Sequence, residues 1–143
     1  MSSRKIKRIL VPIDGSKPSL EGLHQAIEIA KPTGAKITGL CIIPSNPPIS
    51  LPGAQVSFKS YMTDEAAKVL SEAKKIAAKN NLEFHGKLSY GEASSEIANF
   101  ANNKKYDLVV IGSRGRSGLK ELFLGSVANA VVHRSRVPVL VIK

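Results

Sequence analysis

Asp107-Leu-Val-Val-Ile-Gly112 sets four consecutive apolar, mostly β-branched residues between a charge and a glycine. A strand without a polar face has to be covered on both sides, which is the situation of a central strand in a parallel sheet flanked by helices. Three further apolar runs are too short to stand as helices: Ile6 to Ile13, closed by Asp14-Gly15-Ser16; Ile37 to Ile43, ended by Pro44; and Pro138 to Ile142. Leu82 to Tyr90 alternates weakly and stops at Gly91, as a further strand would.

Helical periodicity fills the gaps between these runs. Ser16 is a suitable N-cap and Pro18 is tolerated in a first turn; Leu20, Leu23, Ile27 and Ala30 then recur on one face until Pro32 and Gly34 stop the pattern. Thr63, with Asp64 and Glu65 in the first turn, opens a helix striped by Ala66, Val69, Leu70, Ala73, Ile76 and Ala77. Shorter patterns run through Ile97, Ala98 and Ala101 and through Val127, Ala130, Val131 and Val132. The alternation predicts the α/β class: a single domain, 1–143, with one doubly wound, five-stranded, mostly parallel sheet, Rossmann-like with a flavodoxin-like strand order. Residues 44–58, with four prolines and one glycine, are expected to form a long loop. Ligands of such folds sit at the carboxyl ends of the strands. The expected crevice therefore gathers Pro12 to Ser16, Ile42 to Pro44 and Gly112 to Gly115.

Hydrophobic residues at 43% and charged residues at 22% fit a folded globular chain and leave no apolar run long enough to span a bilayer. With no secretory h-region and a single cysteine, Cys41, the expected compartment is the cytoplasm, with no disulfide and no Cys-rich zinc site. Cys41 lies inside an apolar strand and is expected to be a small core residue. His24, His85 and His133 show no metal-ligand spacing. The net charge of +10 admits anionic partners, but its basic clusters have few aromatics beside them to stack bases, so nucleic acid is not the expected partner.

The chemistry-bearing stretch is Gly112-Ser-Arg-Gly115, followed nine residues later by Gly125-Ser126 at a helix start. Glycines at 112 and 115 would let backbone N–H groups approach a phosphate closely, and Gly125 and Ser126 would add amides, a hydroxyl and a helix N-terminus. The stretch is neither a Walker loop, since no Gly-Lys-Ser/Thr follows, nor a dinucleotide fingerprint, since Arg114 stands at its second glycine position. Arg114 and Arg116 read as auxiliary cations. Asp14 either helps to cap the first helix or serves ribose hydroxyls or a metal ion.

This G-x2-G-x9-G-(S/T) pattern resembles the signature of the ATP-binding branch of the universal stress proteins, and Ile9-Leu-Val-Pro-Ile-Asp14-Gly-Ser16, Asp107 to Gly112 and Val137 to Ile142 are similar to the family's first, fourth and last strands. The resemblance implies that Pro12 walls the adenine pocket, the Ile42 backbone holds the base, Asp14 contacts the ribose with Gly112 nearby, and Gly115, Gly125, Ser126 and Val127 hold phosphates. It also implies a homodimer paired through Val137, Val139 and Val141. Cys41 stands where many relatives carry His, and no role transfers to it. The expected ligand is ATP, or ADP or AMP, and magnesium would arrive with the nucleotide. The function so read is adenine-nucleotide binding with a regulatory or stress-response role and at most slow hydrolysis, because no group that would activate water is evident. Two alternatives stand beside it, a nucleotidyl-transfer or ATPase enzyme of a related α/β fold and a basic nucleic-acid-binding adaptor.

Overall fold

The computed structural model describes residues 5–45, 54–113 and 125–143. Strands and helices alternate: β1 (Arg8–Pro12), α1 (Lys17–Thr33), β2 (Lys36–Ile43), α2 (Ala54–Lys79), β3 (Phe84–Tyr90), α3 (Ala93–Asn103), β4 (Leu108–Gly112), α4 (Ser126–Arg134) and β5 (Val139–Ile142). All five strands are parallel, as the alternation predicts.

The strand order is β3-β2-β1-β4-β5, not the flavodoxin-like order expected. The flavodoxin arrangement would place β3 between β1 and β4, covered on both faces. His85, Gly86 and Lys87 of β3 are exposed, so this polar strand fits an edge. β1 and β4, whose residues are almost all buried, take the centre instead.

Two apolar layers clothe the sheet. Ile9, Val11, Ile13 and Ile37 face α1 and α2 through Leu23, Ile27, Ala73 and Ala77. Leu10, Leu40, Val109 and Ile111 face α3 and α4 through Ile97, Ala101, Ala128 and Val131. Cys41 is buried, packed with Ile43 and Ala66. β5 closes the other edge with four apolar residues that are only half-buried.

α2 departs from the expectation at its start. It begins at Ala54 rather than Thr63, so the span read as a loop over 44–58 is partly helical, and residues 46–53 of it lie outside the described residues. The last proline of that span is Pro52, and Ala54-Gln-Val-Ser-Phe-Lys carries no breaker, so nothing local stops the helix from extending toward its N-terminus. Tertiary contacts support the extra turns: Thr63 Oγ1 lies 3.3 Å from the Tyr90 hydroxyl, and the Lys59 ammonium sits 4.7 Å from the Tyr90 ring centroid.

Candidate functional site

The sheet reverses direction at β1: β2 and β3 extend to one side, β4 and β5 to the other. Helices following β1 and β4 therefore leave on opposite faces, and a crevice opens at the strand ends between them. It encloses a cavity of about 320 Å³, a size within the range of small-molecule sites.

Of the expected site residues, Pro12, Asp14, Ile42, Gly112, Gly125, Ser126 and Val127 all line this cavity. Arg114 and Gly115 lie outside the described residues. Sequence reasoning missed the opposite wall, formed by Ala93 and Ile97 of α3 with Leu40 beneath. The helical stripe placed Ile97 in the core, but nothing in it says that α3 begins at the crevice; that follows from β3 ending beside Ile43, where the Gly91 amide donates to the Ile43 carbonyl at 2.9 Å.

Asp14 is held by the turn that starts α1. Its Oδ1 accepts the Ser16 amide at 2.8 Å, its own amide donates to Ser19 Oγ at 3.3 Å, and Ser19 Oγ in turn donates to the Ser16 carbonyl at 2.9 Å. Gly15 adopts φ 84°, a left-handed conformation that favours glycine. The capping role weighed for Asp14 is thus real, and the same turn fixes its carboxylate at the mouth of the cavity, where Ser19 is a further lining residue. The spacing of Ser16 and Ser19, a cap and its N3 partner, is the signal that could have found it.

Three helix N-termini border the cavity, and they differ: that of α1, where Ser16 Oγ accepts the Ser19 amide at 3.3 Å, and those of α3 and α4. α3 is capped by Glu92, which accepts the Ser95 amide at 2.9 Å. Hydrogen bonds from Ser94 and then Ser95, with the Arg134 guanidinium 3.9 Å away, hold the Glu92 carboxyl down to about 2. That carboxylate offsets the positive end of α3. α4 has no such cap: among the described residues no side chain bonds its first turn, and intrahelical bonding begins only with the Asn129 amide on the Gly125 carbonyl, 2.8 Å. The Ser126, Val127 and Ala128 amides precede that first bond at the cavity wall. Of the three helix ends, α4 is the one that no described side chain caps, which suits it to an anion.

Both glycines have reasons other than those expected. A Cβ on Gly112 would stand 2.7 Å from the Pro18 carbonyl oxygen and 2.8 Å from its carbon, so close packing of α1 demands this glycine, whatever the ligand. Gly125 is buried, and its amide is spent on the Ser113 carbonyl at 2.7 Å, so the available donors begin one residue later.

With this geometry, the comparisons with known proteins are specific. The family model described as Universal stress protein family matches residues 5–143. The chain belongs to the universal stress protein family. Universal stress protein MJ0531 of Methanocaldococcus jannaschii is 36% identical over 139 residues, which cover 96% of this chain and 82% of that one. Among solved structures, the family member MJ0577 of the same organism superposes with a TM-score of 0.88 at 27% identity over 98% of this chain and 97% of that one. A universal stress protein from Archaeoglobus fulgidus, solved in complex with dAMP, gives 0.76 at 25% identity, with 98% and 100% of the two chains covered. Like those folds, this one is a five-stranded parallel α/β sheet. Among the described residues, no helix is long and apolar enough to cross a membrane, and no three His, Cys, Asp or Glu residues group as a metal site.

Proposed function

We propose that this universal stress protein is a cytoplasmic adenine-nucleotide binder, with ATP as its ligand and a regulatory role in the stress response. The observation that carries the reading is the asymmetry of the crevice. An α4 N-terminus that no described side chain caps faces it from one side and the apolar wall of Ile42, Ala93 and Ile97 from the other. A phosphate suits the first and a planar base the second. The dAMP complex of the Archaeoglobus relative supports the base assignment in kind.

In this reading Pro12 and the Ile42 backbone hold the base, Asp14 meets the ribose beside Gly112, and Gly115, Ser126 and Val127 hold phosphates with Arg114 assisting. Gly125 contributes by placing the α4 amides. Magnesium enters with the phosphates. Hydrolysis is slow at best: among the described residues Asp14 is the one carboxylate lining the cavity, and its Oδ1 is engaged by the Ser16 amide. Two copies pair through β5, whose Val139 and Val141 sit on a half-buried edge.

The test is to denature the purified protein, identify any released nucleotide by mass, and titrate nucleotide-free refolded material with ATP, ADP, AMP and cyclic AMP, with and without magnesium. Selective, saturable binding with slow or no turnover is expected. Absence of binding at millimolar nucleotide would refute the assignment and leave the fold standing. Rapid turnover would move the protein to the enzyme alternative.

A further inference from the structure

Among the described residues, four polar ones are buried: Ser19, Thr38, Ser94 and Ser113. A hydroxyl taken out of water costs free energy unless it finds a partner. Two of the four have theirs. Ser19 Oγ donates to the Ser16 carbonyl and accepts the Asp14 amide, and Ser94 Oγ donates to Glu92 and accepts from Arg134. The Thr38 and Ser113 hydroxyls bond no described residue. Thr38 lies near the start of β2, away from the cavity, whereas Ser113, 6% exposed, lines it.

Strand parity aims the Ser113 side chain. Along β4, Leu108 and Val110 pack toward α1, Val109 and Ile111 toward α3 and α4, and a Cβ on Gly112 would meet Pro18 of α1. Ser113 prolongs the strand, its amide donating to the Ile142 carbonyl at 2.8 Å, so its side chain falls on the Ile111 side. The cavity opens on that side, where Ile97, Ile111 and Ala128 line it. Among the described residues every fully enclosed side-chain nitrogen or oxygen has a partner. The Ser113 hydroxyl is therefore not enclosed, and the open space beside it is the cavity.

On the nucleotide reading proposed above, we infer that the Ser113 hydroxyl is a ligand contact that donates to the phosphate nearest the ribose, and so helps the crevice tell a nucleotide from a nucleoside. The order of the strands sets which part of the ligand reaches it. β2, β1 and β4 are neighbours, spaced about 4.8 Å apart. Ile42, Asp14 and Ser113 stand at or just past their carboxyl ends. With the base at Ile42 and the ribose at Asp14, the next group across the sheet is the first phosphate. The α4 amides lie just beyond, because the Gly125 amide is bonded to the Ser113 carbonyl at 2.7 Å. A hydroxyl flanked by apolar Ile97, Ile111 and Ala128 gains most from a charged acceptor, and the Asp14 carboxylate already serves the sugar.

Ser113→Ala removes the hydroxyl and strands no described partner, so the thermal melt should not fall. Calorimetric titration of both proteins with adenosine, AMP, ADP and ATP reads the contact. The three nucleotides should each weaken by a similar factor, about tenfold, while adenosine binds both proteins alike. Thr38→Val deletes the other unbonded hydroxyl, outside the cavity, and should leave all four ligands unchanged. Undiminished AMP affinity in Ser113→Ala would overturn the inference. So would a loss confined to ATP, which would move the hydroxyl to the terminal phosphates, or an equal loss for adenosine, which would move it to sugar or base. A lowered melt with all four ligands weakened together would reduce Ser113 to scaffold. Failure of the wild-type chain to bind any of the three nucleotides would overturn the nucleotide assignment itself, an outcome distinct from wild-type binding that the variant retains in full.

Discussion

The Gly125 amide donates to the Ser113 carbonyl oxygen at 2.7 Å, pinning the start of α4 to the end of β4. Ser113 is itself anchored to β5, its amide donating to the Ile142 carbonyl at 2.8 Å. The α4 amides are therefore held on the rigid end of the sheet, and the predicted anion site is preorganised by backbone bonds.

That arrangement makes Ser126→Pro an informative variant. Ser126 is the first helical residue, where proline is favoured because the amide has no intrahelical partner, and Gly125 at φ −60°, ψ 154° already has the extended conformation a following proline needs. The fold should survive with a stability change under about 1 kcal/mol, while loss of one charge-assisted bond, worth about 1.5–3 kcal/mol, weakens ATP about tenfold or more. Calorimetric titration beside a thermal melt separates the two; undiminished affinity in the folded variant would remove the α4 amide from the site.

Asp14→Asn separates capping from ligand contact. An asparagine carbonyl can still accept the Ser16 amide, so α1 should keep its turn. Affinity for ATP should fall while free triphosphate is little affected, because the ribose contact alone is lost. Equal losses for both ligands would reassign Asp14 to metal or scaffold.

Gly112→Ala should act through folding. With its Cβ 2.7 Å from the Pro18 carbonyl oxygen, α1 must shift, at a cost of about 1–3 kcal/mol for such overpacking. A drop in the urea midpoint with unchanged slope is the expected readout. A neutral effect on stability would mean that α1 yields at no cost.

The cap of α3 should depend on pH in one direction. The Glu92 carboxyl is lowered, first by the Ser94 hydrogen bond, to about 2, below its unfolded value near 4.5. The stabilisation it lends is thus fully present above about pH 4.5 and is lost as pH falls through about 2. NMR titration of the Glu92 carboxyl, compared with a Ser94→Ala variant, checks this; the variant's midpoint should move back up. An identical midpoint in both would remove Ser94 as the cause.

Much of the fold was legible because its signals are local. The β4 run is apolar on both faces and could be little else, and Ser16, Pro18 and Gly34 mark the ends of α1 by their individual conformational preferences. Of the candidate site, the cavity-lining residues Pro12, Asp14, Ile42, Gly112, Gly125, Ser126 and Val127 were legible because they sit at strand ends and helix starts, which local signals mark. Ala93 and Ile97 were invisible as site residues because their place depends on which strand β3 pairs with, a choice made far from them in sequence. The start of α2 was missed because the acidic first turn at Asp64 and Glu65 is a sufficient signal for a helix start but not a necessary one.

The sequence by itself determined the α/β alternation, the short central strands, the glycine-and-serine frame around 112–126 and the family. Those properties follow from side-chain periodicity and backbone preference, which each residue carries with it. Only the tertiary structure decided the strand order, the reason for Gly112, the spent amide of Gly125 and the opening of the Ser113 hydroxyl into the cavity. Each of these is a relation between segments tens of residues apart, settled by which faces bury together and which polar groups must find partners once they do.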